Sequence, residues 1–254
     1  MNFQPVAENL RESFRVVAGS RHEGELRELH GVSIASANVT FQMFNAAFLS
    51  TPVTTEAEFT QRVLLADMHF QTRGREWAWW MCEDWLEPRV RRRARQLLER
   101  RGLRHSTDLP GMTAERLLPP GRPLPLLDIR RVGTPLTRGA FYEIGSICFH
   151  VPLTWFREVF ENDSVWANFE SYVGYVNGEP VCTSATVRGG GVIGVYNVAT
   201  LPGHQRKGYG EAVMRHAIER AGEGTIILQS TPAGFPLYER MGFRTITRIS
   251  VYAS

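Results

Sequence analysis

The sequence predicts a mixed α/β protein whose helices pack on a mixed β-sheet, and three observations support this prediction. Of the 254 residues, 43% are apolar and 22% are charged, which are the proportions of a globular protein. A proline-rich stretch divides the chain near its middle. After that stretch, runs rich in β-branched and aromatic residues alternate with segments of helical spacing.

The proline-rich stretch is LLPPGRPLPLL, at residues 117–127. It contains four prolines and one glycine, a composition that can continue neither a helix nor an inner strand. We therefore predict an N-terminal domain at residues 1–117, a linker at 118–127 and a C-terminal domain at 128–254.

The N-terminal domain is predicted to alternate helices and strands. Its predicted elements, in chain order, are a helix over residues 4–29, one or two strands over 32–49, a helix over 55–73, a strand within 76–86 and a helix over 89–101. Thr54 or Thr55 is a suitable N-cap for the second helix, because its side-chain oxygen can accept from a backbone amide of the first turn.

Two segments of this domain each have two interpretations. Residues 76–86, EWAWWMCEDWL, carry four of the six tryptophans, and such a cluster indicates a core or a packed interface, with a ligand platform as the alternative. Residues 89–101 carry seven arginines around one apolar stripe. They indicate a solvated helix face, with a phosphate-binding stripe as the alternative.

The basic residues are almost all arginine, since 28 of the 29 are Arg and Lys207 is the only lysine. A codon or lineage bias towards arginine explains this composition without any functional role. The formal net charge of +3 is too small for the basic field of a dedicated nucleic-acid-binding protein, so we expect no nucleic-acid partner.

The C-terminal domain has the clearer pattern. Its predicted elements, in chain order, are a β-hairpin over 171–187, a central strand over 192–199, a helix containing residues 213–221, a strand over 225–230, a short helix over 236–241 and a final pair of strands between 244 and 252. Asn177 and Gly178 tolerate positive φ at both centres of a tight hairpin turn. The central strand is apolar on both faces, as expected of a strand inside a sheet.

The loop Gln205-Arg-Lys-Gly-Tyr-Gly210 joins the central strand to its helix. Its glycines allow successive backbone N–H groups to converge at the helix N-terminus, where the helix dipole also favours a phosphate or pyrophosphate. Arg206 and Lys207 add positive charge, and Gly208 and Gly210 leave room for close approach of an anion. The loop is not a P-loop, because the Gly-Lys-Ser/Thr ending is absent. A glycine-rich helix start that serves packing alone is the alternative.

Two segments together resemble the acetyl-coenzyme A binding core of the GCN5-related N-acetyltransferases, the GNAT family. They are VYNVATLPGHQRKGYGEAVMRHAI, which contains the family's Gln/Arg-x-x-Gly-x-Gly/Ala loop, and LQSTPAGFPLYERMGF, which contains its xLYxxxGF helix. The resemblance covers residues 170–246. It implies a GNAT-like acyl-CoA N-acyltransferase fold in the C-terminal half, with residues 128–169 supplying the first strand and two acceptor-side helices.

The resemblance also implies roles for individual residues. The amides of Arg206–Gly210 would hold the pyrophosphate of acetyl-coenzyme A, Val198–Thr200 would pair with the pantetheine arm, and the strand ending near Ser230 would diverge to admit that arm. Tyr238 falls where the family often places the tyrosine that protonates the departing thiolate, and a phenol of pKa about 10 suits this task. The implied cofactor-binding residues are Val198, Ala199, Thr200, Gln205, Arg206, Lys207, Gly208, Tyr209, Gly210 and Ser230.

The expected activity is N-acetyl transfer from acetyl-coenzyme A to an amine of a small-molecule acceptor by direct attack in a ternary complex, without a metal. A polyamine, an amino acid, an aminoglycoside, a peptide N-terminus and another acyl acceptor all remain open as the acceptor. Glu143 and His150 could act as the base directly or through water, but each is better interpreted as an ordinary surface or core residue, and we assign the role to neither. The alternative function is a catalytically inactive acyl-CoA-binding regulatory module, against which Tyr238 argues.

The N-terminal domain is similar to a degenerate GNAT-like half, as occurs in tandem members of the superfamily. The nearest counterpart of the coenzyme loop, Gln71-Thr-Arg-Gly-Arg-Glu76, has a single glycine. We therefore expect this half to have lost coenzyme binding and to form a wall of the acceptor pocket. An unrelated helical accessory domain is the alternative.

The remaining sequence features favour a cytoplasmic protein. The first residues, MNFQPVAENLRESFR, have neither the basic flank nor the apolar core of a signal peptide, and no stretch approaches 18 uninterrupted apolar residues. Cys82, Cys148 and Cys182 lack the spacing of a zinc site or a disulfide framework, so we expect reduced thiols. We expect no membrane partner, and the oligomeric state stays open.

Overall fold

The computed structural model describes residues 2–254. The N-terminal half comprises α1 (Gln4–Gly19), β1 (Glu25–Leu29), β2 (Val32–Ser36), β3 (Asn45–Leu49), α2 (Glu56–Gln71), β4 (Ala78–Cys82), α3 (Pro88–Glu99) and β5 (Arg104–Ala114). The C-terminal half comprises β6 (Asp128–Arg131), α4 (Pro135–Phe149), α5 (Leu153–Val159), α6 (Val165–Asn168), β7 (Glu170–Val176), β8 (Glu179–Gly189), β9 (Val192–Thr200), α7 (Tyr209–Ala221), β10 (Ile226–Gln229), α8 (Phe235–Arg240) and β11 (Arg244–Ala253). The predicted mixed α/β fold class is confirmed.

One sheet of eleven strands runs through both halves, in the order β1-β2-β3-β4-β11-β5-β10-β9-β8-β7-β6. Each half contains the same succession of three strands, a helix, a strand, a helix and a last strand, which runs from β1 to β5 and again from β7 to β11. The last strand of the N-terminal half, β5, lies between β11 and β10 of the C-terminal half. The last strand of the C-terminal half, β11, lies between β4 and β5 of the N-terminal half. The predicted boundary at residues 118–127 falls between β5 and β6 and stays a prediction, since a single sheet spans both sides of it.

Strand β11 is hydrogen-bonded along both edges. It pairs antiparallel with β5 over most of its length and with β4 from Ile249 to Ala253. The segment after β4 adds side-chain contacts, because Thr247 Oγ1 donates to Asp84 Oδ2 at 2.6 Å and Ser250 Oγ donates to Glu83 Oε1 at 2.6 Å. The centre of the sheet therefore consists of strands from both halves.

Helix α1 joins the two halves on one face of the sheet. Asn9 is fully buried, and its Nδ2 donates to the carbonyls of Val187 at 3.1 Å and Gly189 at 2.9 Å. The hydroxyl of Tyr196 donates to Asn9 Oδ1 at 2.6 Å. Gly194 makes room for this amide, since a Cβ there would lie 1.8 Å from Asn9 Oδ1. Because a buried amide without partners is costly, this network holds α1 on the C-terminal strands.

Helices cover both faces of the sheet. On β4, Trp79 packs against Phe59 of α2, and the next residue, Trp80, packs against Phe14 of α1. Because neighbouring strand residues point to opposite faces, α1 and α2 lie on opposite sides. In the C-terminal half, alternate residues of β7 contact α4–α6 on one face and α7 on the other.

The tryptophan segment lies largely in the core, and the arginine-rich helix lies at the surface. Trp77, Trp79 and Trp85 are buried in the core, and β4 pairs with β11 of the other half, which agrees with the interpretation as core and packed interface. Helix α3 buries only its apolar stripe, and its arginines are exposed or half-exposed.

Two predicted elements differ from the structure. The helix predicted over residues 4–29 ends at Gly19, and Glu25–Leu29 forms β1, antiparallel to β2. The chain turns between these strands at Gly31, which has a φ of 73°, and the cross-strand pairs that follow outweigh the high intrinsic helix propensity of ELREL. The predicted final pair of strands is wrong as well, because Arg244–Ala253 is one strand.

Strand β5 is not predicted by the sequence pattern, because it contains Pro110 and Gly111. Proline cannot donate to a β-ladder and is confined mostly to edges and bulges. The Pro110 carbonyl accepts from the Ser230 amide at 2.9 Å, just past the last β5–β10 pair of Gly111 with Gln229. In a strand, the nitrogen and carbonyl of one residue lie on the same side, so the proline nitrogen faces the end of β10 and removes no hydrogen bond from the pairing with β11.

Within residues 2–254, no helix combines the length and the hydropathy needed to cross a bilayer.

The junction between the halves predicts a strong dependence of stability on β11. Ile249 is fully buried and faces both Cys82 and Leu109 in the strand register. We expect Ile249→Ala to lower the free energy of unfolding by about 2–5 kcal/mol, through lost burial and a residual cavity, measured by urea unfolding. As a control, Arg248→Gln changes an exposed neighbour and should alter it by less than about 1 kcal/mol. Equal losses in the two variants would contradict this role of β11.

Candidate functional site

The site begins where two parallel strands separate. β9 and β10 pair only as far as Val195 and Leu228. β9 continues to Thr200, whereas β10 turns towards β5, and the amide of Ser230 donates to the carbonyl of Pro110 at 2.9 Å. After Val195, the backbone of β9 therefore faces a gap instead of a neighbouring strand.

A bulge in β9 accompanies this separation. Asn197 has a left-handed φ of 47°, and the register between β8 and β9 shifts at this point, between Thr183 and Ala185. Thr183 Oγ1 donates to the Asn197 carbonyl at 2.7 Å and holds the irregular backbone. Because a bulge bends and twists its strand, the end of β9 diverges from the direction of β10.

The loop after β9 forms a concave turn of backbone at the start of α7. Arg206 and Gly208 have left-handed φ values of 60° and 90°, an arrangement that turns successive N–H groups towards one side. Gly208 is the N-cap of α7 and provides no side-chain cap, so the first amides of the helix and its dipole face this side as well. Gly210 lets α7 approach β9, since a Cβ there would lie 2.9 Å from Thr200 Oγ1. The turn suits a phosphate group.

A pocket of about 1140 Å³ connects the gap with this loop. The predicted site residues that line it are Val198, Ala199, Thr200, Gln205, Arg206, Gly208, Tyr209, Gly210 and Tyr238. Two predicted residues are not among its lining residues. Lys207 Nζ donates to the Gly203 carbonyl at 3.0 Å, and Ser230 is fully buried with its hydroxyl donating to the Thr231 carbonyl at 2.8 Å.

The pocket has an excess of positive charge. Arg122, Arg206 and Arg240 line it. The acidic residue in its lining, Glu211, forms an ion pair with Arg215 at 2.8 Å. A pocket with this balance attracts an anionic ligand.

Tyr238 lies on α8 and is 7% exposed. Its ring lies over Gly234, where a Cβ would come within 2.7 Å of Tyr238 Cε2. Burial raises the pKa of the Tyr238 phenol to about 12. The hydroxyl is therefore protonated throughout the neutral range and can donate a hydrogen bond or a proton.

The end of α4 forms another part of the pocket wall, through Cys148 and Phe149. Burial raises the pKa of the Cys148 thiol, and a hydrogen bond with the Thr200 backbone opposes part of this shift. The two candidate bases, Glu143 and His150, are exposed and do not line the pocket.

Several lining residues were not predicted from the sequence. They are Leu118, Pro119, Gly121 and Arg122 of the linker, Cys148 and Phe149 of α4, His204 before the loop, and Arg240 of α8. The composition of the linker indicates only a break in secondary structure. Nothing in that composition signals that the linker folds back onto the pocket.

The corresponding gap in the N-terminal half is closed. β3 and β4 are parallel, as β9 and β10 are, but Val53 follows β3 and forms a parallel bridge with Leu86. The amide of Val53 donates to the Trp85 carbonyl at 2.8 Å, and the amide of Glu87 donates to the Val53 carbonyl at 3.0 Å. Backbone hydrogen bonds thus fill the space that is open beside β9.

The N-terminus of α2 is also occupied by the chain's own side chains. Thr55 caps the helix by accepting from the Glu58 amide at 3.1 Å, and the Glu58 carboxylate accepts from the Thr54 amide at 2.9 Å. Arg62 donates to the carbonyls of Thr51 at 2.7 Å and Pro52 at 2.9 Å. At the start of α2 a side-chain cap and a carboxylate therefore lie where α7 has neither.

Comparison with known proteins agrees with this geometry. Residues 161–245 match the family described as the Acetyltransferase (GNAT) domain. A search of curated protein sequences finds no significant match.

Solved structures are similar over nearly the full chain. A GCN5-related N-acetyltransferase from Kribbella flavida has a TM-score of 0.72 at 18% identity, covering 97% of this chain and 95% of its own. A functionally unknown conserved protein from Staphylococcus epidermidis has a TM-score of 0.66 at 14% identity, covering 91% and 94%. A GCN5-related N-acetyltransferase from Sphaerobacter thermophilus has a TM-score of 0.55 at 15% identity, covering 88% and 76%. At these identities the similarity concerns the fold.

The parted parallel strands, the uncapped helix start and the positively charged pocket lie together in one mixed α/β fold. Residues 161–245 match the GNAT acetyltransferase domain, and the fold is similar to that of GNAT proteins along nearly the whole chain.

The loop geometry predicts different responses from two nearby glycines. Gly208→Ala places a side chain at a φ of 90° and within 3.0 Å of Pro125 Cδ, so we expect a stability loss of about 1–3 kcal/mol. Gly203→Ala is the matched control, because a Cβ there meets no heavy atom within 4 Å, and it should change stability by less than about 1 kcal/mol. Thermal unfolding measures both variants, and equal shifts would contradict the strained turn.

Proposed function

We propose that the chain is an N-acetyltransferase, which moves the acetyl group of acetyl-coenzyme A to the amine of a small-molecule acceptor by direct attack in a ternary complex. The observation that supports this most is a single pocket lined by the free edge of β9, Tyr238 and the turn at residues 205–210, which we call the phosphate-binding turn. The edge of β9 would bind the pantetheine arm of acetyl-coenzyme A, the turn would bind its pyrophosphate, and Tyr238 would face its departing sulfur.

The residues in the pocket fit coenzyme A. Gly208 provides no side-chain cap at the start of α7, so the first amides of the helix would hold the pyrophosphate. Arg206 would add positive charge to this part of the pocket. The backbone of Val198–Thr200, along the gap beside β9, would hold the pantetheine arm by strand-like hydrogen bonds.

Bound acetyl-coenzyme A would supply a thioester as the acetyl donor. The backbone N–H groups on the gap side of β9 would stabilise negative charge that develops on the thioester oxygen. Tyr238 would donate its proton, or a hydrogen bond, to the departing sulfur. The pocket would contribute most by holding the amine and the thioester together in the correct orientation. Glu143 and His150 are exposed and outside the pocket lining, so we assign the role of base to neither.

A panel of amines tests the activity directly. The protein is incubated with acetyl-coenzyme A and each amine, and the free thiol released is measured with a disulfide reagent, with the amine omitted as the control. We expect release with at least one small amine. Coenzyme binding without release from any amine would favour the inactive acyl-CoA-binding module.

The coenzyme loop predicts unequal roles for its two cations. Arg206→Gln should weaken coenzyme A binding about tenfold, equivalent to about 1.4 kcal/mol, because Arg206 lines the pocket. Lys207→Gln should change it less than about threefold, or about 0.7 kcal/mol, because its amine is bound to the Gly203 carbonyl outside the pocket. Titration calorimetry measures both affinities. A larger effect at Lys207 would refute this arrangement of the loop.

Tyr238 is predicted to affect turnover more than binding. Tyr238→Phe should lower kcat at least about tenfold, at the low end for loss of a general acid, while changing coenzyme affinity less than about twofold, since the ring and its packing remain. Because the pKa of the phenol is about 12, loss of its proton should not reduce wild-type kcat below about pH 10.

The matched control for this variant is Tyr175→Phe, which removes a hydroxyl from a buried tyrosine outside the pocket lining and should keep kcat. If Tyr238→Phe also keeps kcat, Tyr238 serves only packing.

A further inference from the structure

The linker between the two halves is fixed to the pocket at two places. The amide of Leu118 donates to the Met241 carbonyl at 2.9 Å, and the Leu118 carbonyl accepts from Arg215 Nη2 at 2.7 Å. Farther along, Pro125 packs on Gly208, where a Cβ would lie 3.0 Å from Pro125 Cδ. The linker therefore extends from the end of α8 to the phosphate-binding turn and forms a wall between them.

Arg122 is the charged residue of this wall. Its Nη2 donates to the Arg206 carbonyl at 3.0 Å and lies 3.6 Å from the position of a Cβ on Gly208. Within residues 2–254, no carboxylate forms an ion pair with this guanidinium. A guanidinium has five N–H donors, so the single bond to a carbonyl leaves most of them free beside the turn.

We propose that Arg122 binds a phosphate group of the coenzyme, so that the linker completes the phosphate site. This inference rests on the proposed function. A guanidinium matches the oxygens of a phosphate with two parallel hydrogen bonds, and the bond to Arg206 already holds it at the edge of the turn. The turn lies within the GNAT-matched residues 161–245, and Arg122 lies outside them.

The arrangement of the linker supports a prepared site. Its four prolines restrict the backbone before any ligand arrives, and the contacts of Leu118 and Pro125 hold both sides of Arg122. A side chain held close to its bound position loses less conformational entropy on binding. An alternative role for Arg122, as a staple for the Arg206 carbonyl alone, predicts no specific effect on a charged ligand.

The test compares two ligands that differ by one phosphate, coenzyme A and dephospho-coenzyme A, which lacks the 3′-phosphate. Calorimetric affinities are measured at low and high salt for the wild type, Arg122→Gln, Arg122→Lys and Arg116→Gln. Glutamine at position 122 removes the charge and keeps a neutral side-chain N–H donor. Arg116 is the matched control, an exposed arginine beside the linker and outside the pocket lining.

We expect Arg122→Gln to weaken coenzyme A binding about tenfold at low salt, and less at high salt, because ions screen the charge it removes. Arg122→Lys keeps the charge but not the planar fork, so it should lose less affinity than Arg122→Gln, and Arg116→Gln should retain all of it. If only coenzyme A is affected, Arg122 binds the 3′-phosphate. If both ligands are affected equally, it binds the pyrophosphate.

Unchanged affinity in Arg122→Gln would overturn the inference. So would a loss that does not depend on salt, because that result would indicate the staple role. Both outcomes leave the proposed function intact as long as the wild type binds coenzyme A. If the wild type does not bind it, the proposed function fails and this inference fails with it.

Discussion

The pairing of β5 with β11 is the interaction on which the rest of the structure depends. It joins the two halves at the centre of one sheet, and it also determines the shape of the pocket. β5 accepts the amide of Ser230 through the Pro110 carbonyl, so that β10 follows β5 and separates from β9. Because a buried amide must find a partner, a strand from the N-terminal half holds open a gap in the C-terminal half.

The starts of α2 and α7 occupy corresponding positions in the two halves but differ in what their first amides meet. In both, a helix starts after one of two parallel strands, and its first amides need partners. In the N-terminal half the Thr55 side chain accepts one of them, from Glu58, and a strand bridge at Val53 closes the gap. In the C-terminal half Gly208 supplies no side chain. The first arrangement is satisfied within the chain, whereas the second can be completed by an anion from outside.

Local features were predictable from the sequence, and features that depend on distant segments were not. The hairpin at Asn177 and Gly178 is formed as predicted, because a tight turn depends on its own two residues. The predicted phosphate turn is likewise contained in a short segment, and most of its residues line the pocket. By contrast, β5 contains a proline that is acceptable only because the neighbouring strand β10 ends beside it, and the prolines of the linker do not reveal which surface the linker covers.

The exchange of last strands also has a consequence for the order of folding. During synthesis, the residues of β11 leave the ribosome after those of every other strand in the sheet. Until then, β4 and β5 each have an unpaired edge at the place that β11 will fill, and such edges favour association with other chains. Contacts between residues so far apart in sequence also form slowly. A nascent chain is therefore most prone to association with other chains after β4 and β5 have formed and before β11 pairs with both of them.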